Sequence, residues 1–270
     1  MRRKWAWRWL AVLPLLTTMA GAQDVRHRFV RVDNGNNQLV HVDQRRPEHT
    51  WFVRIPAGAR SIQILPDNGQ GIRILINHAE GAGEYDLRTG RALPWRLSKY
   101  KGVTCAWRLP AGNTLLGLNG GQLVEVGLDG KETRRIVLRV RIDWQLVTLL
   151  EDGRFVVGGA GPREVWVVSQ DGAIQQRFPV TEKGYKAVRL ADGHFLVSAG
   201  DAARVEERDA AGKLVRWFGG KKEHPGLGLD FCSGWDRLGN GNIVMCNWLG
   251  HRKPDAGWQL LEFTPENKLV

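Results

Sequence analysis

The chain has 270 residues, of which 43% are hydrophobic and 25% are charged, and its formal net charge at pH 7 is +11. This composition excludes a disordered or collagen-like chain, because it supplies enough apolar residues to bury a sizeable core. A positive charge favours acidic partners, yet the basic residues are scattered through turns and form no Lys/Arg run of the kind that marks a nucleic-acid patch. We therefore expect no nucleic-acid partner.

The first 22 residues have the anatomy of a cleavable signal peptide. Four basic side chains lie within the first eight residues, an apolar run follows at Trp9–Leu16, and small residues at Ala20–Ala22 offer a cleavage site. The apolar run is too short to anchor the chain in a membrane. We therefore expect a periplasmic or extracellular protein in which residues 23–270 form one domain, with no membrane segment after cleavage and a net charge lowered from +11 to +7.

One motif recurs along the remaining chain: an apolar strand that ends in leucine, a turn containing glycine, and a second apolar strand. These leucines lie 40 to 48 residues apart, at Leu65, Leu109, Leu150, Leu190 and Leu238. A second hairpin follows each first one, as in EVWVVSQDGAIQQRF at residues 164–178. Asp-Gly and related pairs between alternating apolar runs are the strongest local signal for a hairpin. Two hairpins in this period predict a four-stranded propeller blade.

The repeat decides between three all-β architectures. A β-sandwich has no reason to repeat at this period, and a parallel β-helix repeats at about half of it. Residues 26–56 hold three further strands that align with the second, third and fourth strands of a blade. The sequence therefore predicts an all-β propeller of six four-stranded blades, in which the first blade lacks its inner strand. Because Val270 falls inside a fourth strand, we expect a closing strand to follow it in the native chain.

The segment EYDLRTGRALPW at residues 84–95 resembles the repeat of quinoprotein-type (PQQ-like) propellers. Asp86, Thr89, Gly90 and Trp95 match that repeat, and Arg91 stands in place of its lysine. The resemblance implies that the Thr-Gly pair turns the hairpin, that the aspartate bonds turn amides and that the tryptophan packs between blades. The leucine-glycine turns are also similar to those of arylsulfotransferases, which are exported six-bladed propellers.

The sequence departs from both families at the positions that carry their chemistry. Quinone-cofactor enzymes need a calcium site and a stacking tryptophan, and no carboxylate set aligns with that site, so we predict no cofactor. Arylsulfotransferases use histidines on inner strands, whereas the equivalent inner positions here are Cys105, Leu146, Lys186 and Gly234. The resemblance therefore predicts the fold and leaves the activity open.

Three cysteines remain after cleavage, at positions 105, 232 and 246. An odd count in an exported protein allows at most one disulfide and one free thiol. Cys232 and Cys246 fall in adjacent strands but out of register, which argues against a bridge because disulfide geometry is strict. With no Cys-x-x-Cys motif or Cys/His cluster, we predict no metal site.

In a propeller, the blades surround a central channel and successive strands of a blade run in opposite directions. The loops that join one blade to the next therefore lie at the same end of the channel as the loops between second and third strands. That end holds the longest loops, Gly219–Asp230 and Trp248–Gly257, and loops on a rigid scaffold commonly carry function. The candidate ligand-binding residues are His78, Tyr100, Arg163, Lys183, Tyr185, His224, Trp248 and His251. Each has a plain alternative: His78 as a hydrogen-bonded structural histidine, the loop histidines as exposed bystanders, and Trp248 as a packing residue.

Two functions are compatible with these residues. The first is a binding or scaffold module that holds a protein, a glycan or an anionic ligand at the loop-rich end. The alternative is an enzyme of the arylsulfotransferase, lyase or hydrolase type with His78, His224 and His251 as acid–base groups, but no catalytic residue is assigned. An enzyme needs at least two titratable groups that converge on one substrate position.

The signal peptide generates the first testable prediction. Cleavage after Ala22 should leave Gln23 as the first residue of the exported protein, because small residues occupy the positions that signal peptidase reads. N-terminal sequencing of protein from the periplasm or medium checks this. A soluble cytoplasmic protein that still begins with Met1 would contradict it.

Overall fold

The computed structural model describes residues 25–138, 146–150, 152–158, 163–250 and 257–270, so the predicted signal peptide lies outside the described residues. The described strands form six small antiparallel sheets that follow one another around a ring. The chain is thus a six-bladed β-propeller, as predicted, and blade 1 has three strands.

The blades are numbered in chain order, and their strands have the following bounds. Blade 1 contains β1 (Arg28–Asp33), β2 (Gln38–Asp43) and β3 (Trp51–Arg54). Blade 2 contains β4 (Ile62–Leu65), β5 (Arg73–His78), β6 (Gly81–Asp86) and β7 (Ala92–Leu97). Blade 3 contains β8 (Val103–Arg108), β9 (Thr114–Leu118), β10 (Gln122–Val126) and β11 (Glu132–Val137). Blade 4 contains β12 (Leu146–Leu149), β13 (Phe155–Gly158), β14 (Glu164–Val168) and β15 (Ile174–Pro179). Blade 5 contains β16 (Gly184–Arg189), β17 (Phe195–Ala199), β18 (Arg204–Arg208) and β19 (Leu214–Gly219). Blade 6 contains β20 (Phe231–Arg237), β21 (Ile243–Trp248) and β22 (Leu260–Phe263), with a bridge from Phe263 to Leu269 that begins a fourth strand.

Helical structure is limited to three short 3-10 helices among the described residues, at Pro47–His49, Gly200–Ala202 and Pro225–Leu227. Within those residues, no helix has the length and apolar character needed to span a membrane. The scaffold that positions the functional loops is therefore built from strands and tight turns.

The recurring leucines lie at the ends of inner strands, and in blades 3 to 6 each of them starts a tight turn. In blade 3, the Leu109 amide donates to Asn113 O at 2.8 Å and the Gly112 amide donates to Leu109 O at 2.9 Å. Gly112 has a φ of +96°, a backbone conformation that residues with a Cβ rarely adopt. Equivalent bonds form at Leu150, Leu190 and Leu238. The leucine-glycine spacing therefore encodes the turn that ends the inner strand in blades 3 to 6.

The hydrophobic core is divided into clusters that lie between neighbouring blades. On β13, Val156 packs with blade 5 residues such as Val197, whereas the next residue, Val157, packs with blade 3 residues such as Leu123. This follows from the strand geometry, since successive side chains point to opposite faces of a sheet. Among the described residues, five such clusters join blades 1 and 2, 2 and 3, 3 and 4, 4 and 5, and 5 and 6. The contact between two neighbouring blades is here called a seam.

Blades 1 and 6 close the ring through polar groups. His27 Nε2 lies 2.6 Å from Glu262 Oε2, and the other oxygen of Glu262 accepts from Asn242 Nδ2 at 2.6 Å. Arg31 on β1 is close enough to Cys246 on β21 to act on the thiol electrostatically. Among the described residues, blade 1 therefore meets blade 6 through a hydrogen bond and charge, whereas the clusters above place apolar side chains between the other neighbouring blades.

All three cysteines are free thiols. Cys246 pairs with Gly234 and Cys232 pairs with Asn247, so the two cysteines of blade 6 are out of register, as predicted. Burial raises the pKa of the Cys232 thiol to about 12, because a low-dielectric environment disfavours the thiolate. Cys232 is thus an apolar packing residue of the seam between blades 5 and 6.

Side chains of the inner strands form hydrogen bonds across the seams. Between blades 2 and 3, Gln63 Oε1 accepts from the Arg108 amide at 2.6 Å and Gln63 Nε2 donates to Arg108 O at 3.2 Å. Between blades 4 and 5, Thr148 Oγ1 donates to Ala187 O at 3.0 Å. Between blades 5 and 6, Lys186 Nζ donates to Trp235 O at 2.6 Å. These bonds connect strands that belong to separate sheets.

The turns between third and fourth strands make a second contact between blades. Gly90, with a φ of +71°, lies against blade 1, where an added Cβ would be 2.7 Å from Trp51 Cε3 and 2.9 Å from Val53 Cγ1. Asp86 Oδ1 accepts from the Thr89 amide at 2.8 Å and from Thr89 Oγ1 at 2.6 Å. These turn contacts are those that the resemblance to the quinoprotein-type repeat implies.

The contact at Gly90 yields a stability prediction with a matched control. Gly90→Ala and Gly69→Ala both place a Cβ at a positive φ, but only Gly90 faces side-chain atoms, since nothing lies within 4 Å of an added Cβ at Gly69. We expect Gly69→Ala to lower the free energy of unfolding by about 1 kcal/mol. Gly90→Ala should lower it by roughly 1–3 kcal/mol more, because the seam between blades 1 and 2 must open. Urea unfolding measures both values, and equal losses would contradict the seam contact.

Lys186 yields a prediction of pH dependence. Burial lowers the pKa of Lys186, with nearby Asp236 acting in the opposite direction. The unfolded chain therefore binds more protons than the native chain below the ordinary lysine value of 10.5, so this residue makes stability rise with pH in that alkaline window. Unfolding by urea at neutral pH and at about pH 10 should show a smaller rise for Lys186→Met than for the wild type.

The exposed Lys222 provides the control for this measurement. Lys222→Met should keep the full rise, because the side chain is solvated in both states. A wild-type protein and a Lys186→Met variant with parallel pH dependence would contradict the burial of the Lys186 ammonium group.

Candidate functional site

The loop-rich end of the channel, here called the mouth, is where first strands begin and second strands end. Tyr185 lies at the start of β16, Phe231 begins β20 and Trp248 ends β21, so all three side chains belong to this end. Arg60 precedes β4 and reaches the same end from blade 2, which stands opposite blade 5 in a ring of six. The strand order therefore brings together four residues that are distant in sequence.

Three aromatic rings form a continuous chain along the mouth in blades 5 and 6. The ring centroids of Tyr185 and Phe231 are 5.8 Å apart at an angle of 81°, and those of Phe231 and Trp248 are 5.8 Å apart at 85°. Such edge-to-face contacts suit the charge distribution of aromatic rings. Tyr185 and Phe231 are half-buried, whereas Trp248 remains 40% exposed. Two of the three rings are thus partly buried by the blades, and the third ring, Trp248, is open to solvent.

A close backbone approach holds the central ring in place. Gly200 is buried at the end of β17, where an added Cβ would lie 2.5 Å from Phe231 Cζ. The absence of a side chain at this position lets the Phe231 ring lie directly against the backbone of blade 5. The same 3-10 helix, Gly200–Ala202, carries Asp201, whose carboxylate is 3.0 Å from Lys183 Nζ.

Arg60 adds a positive charge to the mouth. Its amide and that of Ser61 each donate to Asn77 Oδ1 at 2.8 Å, which fixes the loop that leads into β4. Burial lowers the pKa of Arg60, and interaction with Tyr185 opposes that change. Burial raises the pKa of Tyr185, and Arg60 acts to lower it. The guanidinium and the phenol therefore lie within electrostatic range of each other across the channel.

Two buried asparagines hold the loops of the mouth, and the sequence interpretation missed both. Asn77 Nδ2 donates to Gly58 O and to Val103 O, at 3.1 Å each. Asn247 Oδ1 accepts from the Asp230 amide at 2.7 Å, and its Nδ2 donates to Trp258 O at 2.8 Å. Each asparagine is the penultimate residue of a second strand. A polar residue that interrupts an apolar run, as in ILINH and VMCNW, is the signal that identifies such a position.

Three described cations at the rim of the mouth are paired with carboxylates. Arg163 Nη2 lies 3.2 Å from Glu182 Oε2, and Lys183 is paired with Asp201. Lys221 Nζ lies 3.3 Å from Asp230 Oδ1. Exposed ion pairs of this kind add little stability, but they reduce the net positive field that the sequence alone indicates.

Three other candidate residues pack into the walls between strands. His78 is 6% exposed at the end of β5, where burial lowers its pKa, and its Nδ1 accepts from the Glu80 amide at 3.4 Å. Tyr100 lies beside Glu132 and Arg135, and burial raises its pKa. The ring of His224 is 5.0 Å from that of Phe263. The two histidines thus have their contacts in different blades, His78 in blade 2 and His224 against blade 6.

The remaining candidate, His251, lies outside the described residues. Of the predicted set, the structure brings Tyr185 and Trp248 into direct connection through Phe231, and it places Arg163 and Lys183 in ion pairs on the rim. Within the described part of the chain, no group of three or more His, Cys, Asp or Glu side chains is arranged to hold a metal ion. What the arrangement offers chemically is an aromatic surface with a guanidinium opposite it.

Comparison with known proteins supports the fold. No family model matches the sequence, and no curated protein matches it. Among solved structures, a protein of unknown function from Bacteroides caccae has a TM-score of 0.72 and 23% identity, covering 91% of this chain and 92% of its own. A streptogramin B lyase has a TM-score of 0.59 and 13% identity, covering 92% and 79%. Virginiamycin B lyase from Staphylococcus aureus has a TM-score of 0.56 and 11% identity, covering 89% and 82%. Structural similarity at these sequence identities establishes that the chain has a β-propeller fold. The resemblance of its repeat to quinoprotein-type and arylsulfotransferase propellers stays a prediction.

Proposed function

We propose that this chain is an exported binding module that holds a glycan at the mouth of its propeller. The observation that carries the proposal is the edge-to-face chain of Tyr185, Phe231 and Trp248, which ends in a solvent-exposed ring. Aromatic side chains that combine an apolar face with a polar tip suit a ligand that is apolar on one side and hydroxylated on the other. A sugar ring has this character.

The polar groups of the mouth are arranged to orient such a ligand. Arg60 brings a planar guanidinium to the mouth from the opposite blade, and its charge interacts with Tyr185 of the aromatic chain. Arg163, Lys183 and Lys221 are engaged with carboxylates, so the rim has both donors and acceptors. A mixed rim of this kind favours hydroxyl groups over a densely charged polyanion, whose binding depends on unpaired cations.

The location of the site agrees with the use of propellers as rigid scaffolds. The inner strands and their tight turns fix the framework, and the loops between blades carry the variable side chains. The predicted signal peptide would deliver this surface to the periplasm or the medium, where glycans of the cell envelope are accessible. Export and glycan binding are thus two independent parts of the proposal.

Replacement of Trp248 tests the aromatic surface. Glycans that bind the wild-type protein are identified on an array, and their affinity is then measured by calorimetry. Trp248→Ala should weaken binding by about tenfold or more, because an aromatic ring that a ligand covers contributes a large share of the contact energy. The melting temperature should change little, since the Trp248 side chain is 40% exposed.

The matched control is Phe52→Ala. Phe52 is an aromatic residue that is 67% exposed on β3, the last strand of blade 1, and it is not part of the mouth. This variant should bind glycan as the wild type does. The proposal fails if no glycan binds the wild type, or if both variants lose affinity equally.

A further inference from the structure

A second concave surface lies at the opposite end of the channel from the mouth. It has a volume of about 980 Å³ and extends across blades 2, 3 and 4, where the turns between first and second strands meet. Leu65, Leu109 and Leu150, the recurring leucines of these three blades, all line it. The volume is in the range of roughly 300–1,000 Å³ that small-molecule sites occupy. This surface is here called the lower cleft.

The walls of the lower cleft are predominantly apolar. Trp95 and Trp107 line it, and Leu128 stands at its edge with 63% of its surface exposed. Trp107 packs against the core between blades 3 and 4, so this wall is held in place by buried neighbours. An exposed leucine next to two tryptophans offers a surface that an apolar ligand would cover.

Three charged groups line one side of the cleft. Glu84 Oε2 accepts from Arg73 Nη1 at 2.9 Å, and Glu84 Oε1 accepts from Arg108 Nη2 at 2.6 Å. Arg108 Nη1 also donates to Gly112 O at 2.7 Å, and its Cζ lies 4.2 Å from the centre of the Trp95 ring. Two guanidinium groups against one carboxylate leave this largely buried group with one positive charge in excess.

The same residues carry donors that have no acceptor. Arg73 Nε, Arg108 Nε and Trp95 Nε1 are buried, and none of them makes a hydrogen bond within the described part of the structure. A buried donor without a partner is costly, whereas an ionised acceptor is the strongest partner that it can obtain. All three atoms are donors, so the complementary ligand group is an acceptor with negative charge.

From this combination, we propose that the lower cleft binds a small apolar molecule that bears one anionic oxygen group, a carboxylate or a sulfonate. The rings and leucines cover the apolar body, and the excess charge of Arg73 and Arg108 holds the oxyanion beside Glu84. The site is separate from the glycan site proposed for the mouth, so either can fail without the other.

The test uses anilinonaphthalene sulfonate, an apolar fluorescent molecule with one sulfonate, and the uncharged phenylnaphthylamine as its partner probe. Fluorescence titration should show saturable binding of the sulfonate probe to the wild-type protein. Leu128→Asp should weaken that binding by about fivefold or more, because it removes an apolar contact and adds a negative charge at the edge of the cleft. Val137→Asp is the matched control, since Val137 is 61% exposed on the outer strand of the same blade.

Glu84→Gln tests the charge directly. Loss of the carboxylate raises the excess charge of the cleft, so the sulfonate probe should bind several-fold more tightly while binding of the uncharged probe stays the same. If this variant does not fold, the comparison of Leu128→Asp with Val137→Asp still decides the matter. Trp248→Ala should leave probe binding unchanged, because Trp248 belongs to the mouth.

Three results would overturn the inference. The first is an absence of saturable binding to the wild type. The second is equal affinity of the Leu128→Asp and Val137→Asp variants for the sulfonate probe. The third is loss of probe binding in Trp248→Ala, which would place the probe at the mouth.

Discussion

The propeller depends on side chains that join one blade to the next, because no strand among the described residues is paired across two blades. Each blade is an antiparallel sheet with two apolar faces, and a sheet of four short strands cannot bury both alone. Side chains on β13 point alternately to the two faces of the sheet, and each face is covered by a neighbouring blade: Val156 is buried against blade 5 and Val157 against blade 3. Stability is therefore distributed over the seams, and the loss of one blade would expose two neighbours.

Hydrogen bonds add direction to these apolar seams. Apolar contacts alone permit blades to slide against one another, whereas the reciprocal bonds between Gln63 and Arg108 and the bond from Lys186 to Trp235 fix their relative depth. Each such bond contributes about 1 kcal/mol to stability. Their larger effect is to fix the position of each inner strand along the channel, because that position determines where the loops at the two ends of the strand lie. The contact of blade 1 with blade 6 through His27 and Glu262 is a further hydrogen bond between side chains of separate sheets.

The two ends of the channel have different chemistry because they are built from different kinds of connection. At the mouth, loops of variable length bring aromatic rings and ion pairs to the surface. At the other end, tight turns with left-handed glycines leave little freedom, and the surface is formed by the leucines and tryptophans that border the turns. Three cations at the rim of the mouth are paired one to one with carboxylates, whereas in the lower cleft two guanidinium groups share one carboxylate.

The sequence by itself determined the architecture. The leucine-glycine turns recur at a period of one blade, and their chemistry is local, so the fold, the six blades and the three strands of blade 1 follow from short segments. The out-of-register cysteines of blade 6 followed from the same local counting. Of the candidate site, the sequence located Tyr185 and Trp248, because both stand next to strand ends at the mouth.

Only the tertiary structure decided which of these residues meet. Phe231 joins Tyr185 to Trp248 because blades 5 and 6 pack side by side, and no spacing in the sequence encodes that contact. Arg60 faces Tyr185 because a ring of six places blade 2 opposite blade 5. His78 and Tyr100 are at the same end of the channel but pack into the walls, since burial depends on neighbours from other strands. The lower cleft was equally hidden, because Arg73, Glu84 and Arg108 come from three strands of two blades and meet only when the sheets are stacked.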